Sequence, residues 1–402
     1  MQDRSNQYRI SYTSVVCMAL LLCFFPPPVL SYLPGLDTLL DIAKFAASGY
    51  MLVLVFAKSK PTPVAVMGVL FYLFLVAATF FNRENVITAI KSVLPHVAFL
   101  LYADYMLTKY PRTFVKSFAG LMKVYIVVNL LMLIILPDGV GRFIPDYNYL
   151  GANSRLSLLG LDNNYIKLFI PATVAIYFSC ENNRIQRNFY FLLMFGTLLY
   201  VWSGTGVCCI AILMAYIFLL ENTWIDRMIG YYRCFIVAVI AYAGTVSSGL
   251  IRTFSSLIEN VLGKSITLSG RTFLWSQALK LIAQKPILGY GVLDGSLLYS
   301  PTNGHAYSAH NTALQILLQG GVLALVIFAA FILMAGMALK KSVQTKASVE
   351  SGYGLMCVAM FAFFIVGIFE ILVFSSPLLL MVMMVGHYED IKIAFSVKEN
   401  NK

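Results

Sequence analysis

Val64-Ala-Val-Met-Gly-Val-Leu-Phe-Tyr-Leu-Phe-Leu-Val-Ala-Ala-Thr-Phe-Phe81 runs without a single charged residue, and Lys58-Ser59-Lys60 stands just before it. A helix crossing the hydrocarbon of a bilayer takes about 20 apolar residues, so this run reads as one membrane span with its basic flank on the inner side. Outward from it the pattern repeats. Apolar stretches centre near 11 to 31, 38 to 57, 64 to 81, 86 to 107, 117 to 136, 164 to 180, 189 to 202, 206 to 220, 234 to 250, 311 to 338, 352 to 373 and 375 to 388. Basic connections recur at every second loop: Lys58 to Lys60, Lys109 to Lys116, Arg184 to Arg187, Arg227 to Arg233 and Lys340 to Lys346. With Arg4 and Arg9 at one end and Lys392, Lys398 and Lys402 at the other, the positive-inside rule places both termini in the cytoplasm. The first stretch lacks a small-residue cleavage site and reads as an uncleaved span.

Composition agrees. The 402 residues are 59% hydrophobic and 12% charged, where a soluble domain carries about 25% charged residues. The formal charge of +11 is what an inner-leaflet surface attracts, and it implies no nucleic acid as partner. Seven cysteines lie in or beside apolar runs, with no spacing that suggests a disulfide or a zinc site. The expected fold is therefore all-α and polytopic: a single membrane domain over 1–402 with about 12 transmembrane helices. A large outer loop, 251–310, lies between spans 9 and 10.

That loop and a second outer segment, Pro137 to Asn163, are too long to be idle connections. Within the larger one, Arg271 to Lys285 places Leu274, Ala278, Leu281 and Ile282 on one helical face and Gln277, Lys280 and Gln284 on the other, until Pro286 stops it. This predicts an amphipathic helix against the outer membrane surface, followed by turn-rich Leu288 to Gly291 and Ser300 to Gly304.

No phosphate-cradling Gly-x-x-x-x-Gly-Lys-Ser/Thr, no Gly-x-Ser-x-Gly elbow and no His-Glu-x-x-His pair is present, so ATP-driven transport and zinc hydrolysis have no support. The candidates are polar residues at the outer ends of spans, where an ionisable group is costly. His310 precedes a span and can take a proton from a sugar hydroxyl, with Asn311 orienting it or the substrate; the alternative is a ring anchored among headgroups. His305 offers the same chemistry on a Gly-flanked loop. Arg271, at a helix start, can share an anion with free helix N-terminal amides, or pair with lipid phosphate. Arg155 and Asn164 lead into a span carrying Lys167 about one turn inside, where an ammonium needs an anion, a cavity or a snorkelling path. Asp37 and Asp41, four apart at a helix start, read as helix capping. Glu370 is a carboxylate near the outer end of the eleventh span with no assigned partner. Lys91 and His96, near Pro95 in the fourth span, could line the same cavity as Glu370.

Three blocks around the large loop, Ser269-Gly270-Arg271-x-x-x-Trp275, Lys285-Pro286-Ile-Leu-Gly289-Tyr-Gly291 and His310-Asn311 with Gly321 ten residues after the Asn, resemble the O-antigen ligase and Wzy-type polymerase superfamily of bacterial envelope glycosyltransferases. The resemblance covers roughly 265 to 325 well, and Arg155 to Asn164 is similar to an earlier outer-loop motif of the family. Two departures stand out: Ser203-Gly204 where the family often has Ser-Arg, and Ala324 where it has a second Gly.

The resemblance implies a GT-C-like enzyme of the bacterial cytoplasmic (inner) membrane, needing neither cofactor nor metal. Its partners would be undecaprenyl-pyrophosphate-linked oligosaccharide donor and acceptor, the lipid bilayer and a chain-length regulator. It assigns His310, Arg271 and Arg155 to catalysis and Asn311, Lys167, Asn164, Trp275 and His305 to substrate binding. Of the family's two activities, polymerisation of O-antigen or capsular repeat units is expected over ligation to lipid A core, because the loop's basic excess is moderate. A flippase of lipid-linked oligosaccharide shares the twelve spans but predicts functional charges near the midplane of several helices.

Overall fold

The computed structural model describes residues 12–141, 155–221, 223–246, 271–293, 298–299, 306–344 and 352–396. In chain order the helices are α1 (Tyr12–Phe24), α2 (Leu36–Lys58), α3 (Pro63–Phe81), α4 (Val86–Lys109), α5 (Pro111–Ile135), α6 (Tyr165–Ser179), α7 (Arg184–Val201), α8 (Gly204–Ala215) and α9 (Tyr231–Val246). After them come α10 (Arg271–Gln284), α11 (Thr312–Gln344), α12 (Tyr353–Phe369), α13 (Ser376–Gly386) and α14 (Tyr388–Ser396). Two short antiparallel hairpins pair Leu156–Ser157 with Gly160–Leu161 and Leu298–Tyr299 with Ala306–Tyr307.

Local chemistry sets the helix starts. Thr62 accepts the Ala65 N–H and Pro63 opens α3; Asn85 accepts the N–H groups of Ile87 and Thr88 at α4; Ser375 accepts from Leu378 at α13. Asp37 and Asp41 do not cap α2, as the sequence suggests: its cap is Gly35, in a left-handed conformation, and the two carboxylates lie exposed along the first turns.

Among the described residues the protein is all-α apart from the two hairpins, with five helices long and apolar enough to cross a membrane: α2, α3, α4, α5 and most of α11. Six shorter apolar helices accompany them. α6, α12 and α13 are buried on nearly every side, while α2 and α3 expose Leu39, Phe56, Leu73 and Phe80. Apolar helices of the first kind form the centre of a bundle and those of the second face lipid.

Three stretches depart from continuous spans. Pro26 to Pro28 end the first one, so α1 stops at Phe24 and a short 3-10 turn, Pro28–Tyr32, follows. The tenth, expected over 311 to 338, breaks at Gly321 (φ 65°, ψ −164°), leaving a short half, 312–320, and a long half of about 34 Å. The eleventh and twelfth are separated by an irregular segment, 370–375, that enters the bundle. Tyr72, in the middle of α3, donates to the Val373 carbonyl at 2.6 Å, and the His96 ring packs against Phe374 and Tyr72. Irregular backbone at that depth needs internal partners or a water-lined cavity.

Candidate active site

The end of the bundle where α6 and α11 begin and α12 finishes gathers most of the polar candidates. Asn311 is fully buried: its Oδ1 accepts the Leu314 N–H at 3.0 Å, capping α11, and its Nδ2 donates to the Ile368 carbonyl at 3.1 Å. Thr312 Oγ1 donates to the Glu370 carbonyl at 2.7 Å and accepts from Leu372 N at 3.1 Å. These bonds lock the start of α11 to the end of α12. Tyr242 of α9 accepts the Ala313 N–H from the other side at 2.9 Å.

His310 sits directly before this lock, partly exposed, with a left-handed backbone (φ 45°). That conformation costs a non-glycine residue about 1 to 2 kcal/mol, and surrounding bonds must hold it. Trp275 supplies one of them. The ring is 2% exposed, and Nε1 donates to the Ala309 carbonyl at 3.0 Å; the Ala309 N–H in turn donates to Gln315 Oε1. Trp275 and Asn311, expected at the substrate, are both buried, and their hydrogen bonds fix the backbone on either side of His310.

Glu370 has a partner that the sequence did not disclose. Lys167 Nζ lies 3.0 Å from its Oε2 and 2.8 Å from Asn164 Oδ1, with the two charged side chains 18% and 12% exposed. Lys167 therefore does not snorkel; it is held inside the bundle by a carboxylate. The backbone carbonyl of Glu370 bonds to Thr312, two positions after His310, so the pair and the histidine share this end of the bundle.

Arg155 enters from the hairpin before α6, and its guanidinium lies 5.4 Å from the Tyr200 ring centre, near the Ser203-Gly204 turn. The hairpin is pinned by Asn129 of α5, whose Oδ1 accepts from Ser157 Oγ at 2.6 Å and Leu159 N at 3.0 Å. Arg271 begins α10, but its side chain lies outside the described residues, as does all of His305. α10 forms over the expected stretch, but its face of Leu274, Trp275 and Ala278, with Leu281 and Ile282 half-buried beside it, packs on Leu298, Ala309, Leu314, Leu318 and Ile368 of the same protein. His96 is buried against Tyr72 and Phe374, its Nδ1 against the Ser92 carbonyl at 2.8 Å.

Residues 189–329 match the family model of the O-antigen ligases. No curated protein matches the chain. The match bears out the resemblance read from the motifs, and the matched segment runs from α7 past Gly321, taking in α10 and His310. Arg155, Lys167 and Glu370 fall outside it on either side. Lys167 and Glu370 reach the end of the bundle that carries His310 only through the fold.

Proposed function

We propose that this membrane protein of O-antigen ligase type is a GT-C glycosyltransferase that acts at the outer face of the cytoplasmic membrane on undecaprenyl-pyrophosphate-linked oligosaccharide. The observation that carries the reading is the tie of the Lys167–Glu370 pair, through Thr312, to the segment holding His310 in a strained conformation. In this reading it brings a cation for an anionic leaving group to the same end of the bundle as a proton acceptor.

In this reading His310 takes the proton of the attacking hydroxyl. That oxygen bonds to the anomeric carbon, and the bond from this carbon to the pyrophosphate breaks, its electron pair leaving on the lipid pyrophosphate. Direct attack inverts the anomeric centre. Arg155 and Arg271 meet the growing negative charge, with Lys167 exchanging Glu370 for a phosphate oxygen. Trp275 and Asn311 keep the imidazole in place, which is where proximity contributes to rate.

Polymerisation is the favoured outcome, a growing chain passing to another lipid-linked repeat unit, because the 252–310 loop carries only a moderate basic excess for a heavily phosphorylated acceptor. Ligation to lipid A core is the second reading, favoured by the description of the matched family. Comparing the lipid-linked glycans that accumulate in cells lacking the protein tests both. Single repeat units support the polymerase, and long lipid-linked polymer supports the ligase.

A further inference from the structure

The segment after α10 is threaded into the break of α11. In an unbroken helix the Leu318 and Gln319 carbonyls would accept the N–H groups of Val322 and Leu323. Here the Leu318 carbonyl accepts from Tyr290 N at 2.7 Å and the Gln319 carbonyl from Gly291 N at 2.9 Å. The freed donors bond back, Val322 N to the Pro286 carbonyl at 2.8 Å and Leu323 N to that of Ile287 at 3.4 Å. Four bonds to 286–291 thus replace two within the helix, so the groups these two would have used all find partners.

Only glycine fits this junction. A Cβ on Gly321 would overlap the Ile287 carbonyl, and one on Gly289 would sit 2.5 Å from the Leu318 oxygen, with both backbones at positive φ. The far side is closed by α3. Thr79, fully buried, accepts the Val292 N–H on Oγ1 at 2.9 Å while donating to the Leu75 carbonyl at 2.8 Å, and Gly291 lies against its backbone. Lys285 Nζ donates to Asn82 Oδ1, at the end of the same helix, at 2.8 Å.

The half-helix 312–320 is therefore held at both ends, by this clamp at its C-terminus and by the Asn311 and Thr312 bonds at its start, where His310 projects. We infer that Thr79 is a positioning residue for His310, acting through Val292 and the threaded segment on the tilt of the half-helix. This rests on His310 being the proton acceptor. Thr79 touches no reacting atom in this scheme, and its effect falls on turnover, not on substrate binding.

The test uses the full-length protein in its membrane, with lipid-linked glycan extracted from cells deleted for the gene as substrate. Thr79→Val keeps the shape of the side chain but removes the acceptor; Thr79→Ser keeps the acceptor. The expected result is a turnover lowered at least about fivefold in Thr79→Val, with KM within about twofold and turnover restored in Thr79→Ser. If the Thr79→Val protein fails to accumulate, Asn82→Ala, which cuts the exposed tether to Lys285, should lower turnover about twofold at unchanged KM. Unchanged turnover in Thr79→Val, or in Asn82→Ala when that variant replaces it, overturns the inference, and so does a Thr79→Ser as slow as Thr79→Val. His310→Ala separates the two levels: if it abolishes transfer while Thr79→Val does not, only the positioning role fails, and if it changes nothing, both fail.

Discussion

Lys167 and Glu370, separated by 203 positions in the chain, meet at 3.0 Å where α6 begins and α12 ends. Each is mostly withdrawn from solvent, so each neutralises a charge that would otherwise be stranded in an apolar bundle. Removing one partner leaves the other uncompensated, which costs about 3 kcal/mol. Lys167→Met should therefore lower protein level or thermal stability and abolish polymer. The exchange Lys167→Glu with Glu370→Lys should recover the protein level while polymer stays absent, since the cation then sits on the wrong helix. Polymer restored by the exchange would reduce the pair to a packing role.

Arg271 opens α10, and in the proposed mechanism its guanidinium holds the pyrophosphate with a planar fork that an ammonium lacks. Arg271→Lys should lower activity by at least about tenfold, equivalent to about 1.4 kcal/mol of transition-state stabilisation. Full activity at normal protein level would make Arg271 a lipid contact.

Trp275 supports His310 through one hydrogen bond, Nε1 to the Ala309 carbonyl. Trp275→Phe keeps an aromatic ring in the cluster of Leu274, Ala278 and Leu314 but leaves that carbonyl unserved. A loss of about 1 kcal/mol is expected, read as a lower melting temperature in detergent, together with reduced transfer. Unaltered melting and transfer would remove Trp275 from the support of the site.

The orientation proposed for the bundle rests on the alternation of basic loops in the sequence. A cysteine introduced by Ser300→Cys should react with an impermeant reagent added to intact cells, after control for the seven native cysteines. Reaction only after permeabilisation would invert the topology and place His310 at the inner face.

What the sequence made legible follows the reach of its signals. The helix at 271–284 was readable because its apolar face repeats locally and Pro286 ends it. Asn311 carried a readable signal too: an Asn followed by Thr and an apolar run is a helix cap, and its buried side chain serves as one. The break in α11 was hidden because hydropathy over 311–338 is continuous, and a glycine reveals its dihedral angles only when another segment approaches. The glycine spacing after Asn311 marked Gly321 as notable without saying that 286–291 would thread into it. Glu370 was visible as a costly carboxylate, but nothing local could pair it with a lysine two hundred residues earlier. The entry of 370–375 into the bundle was hidden for a similar reason, as its backbone bonds go to Tyr72 and Thr312 on other helices.

The central claim is that His310 accepts the proton from the attacking sugar hydroxyl, and His310→Ala tests it most directly. The ring is partly exposed and contributes little to a bundle of this size, so the variant should insert at the normal level. The account predicts that polymer disappears while single lipid-linked repeat units build up on the outer face of the membrane. Polymer of unchanged amount and length, made by a His310→Ala protein present at the normal level, would contradict it.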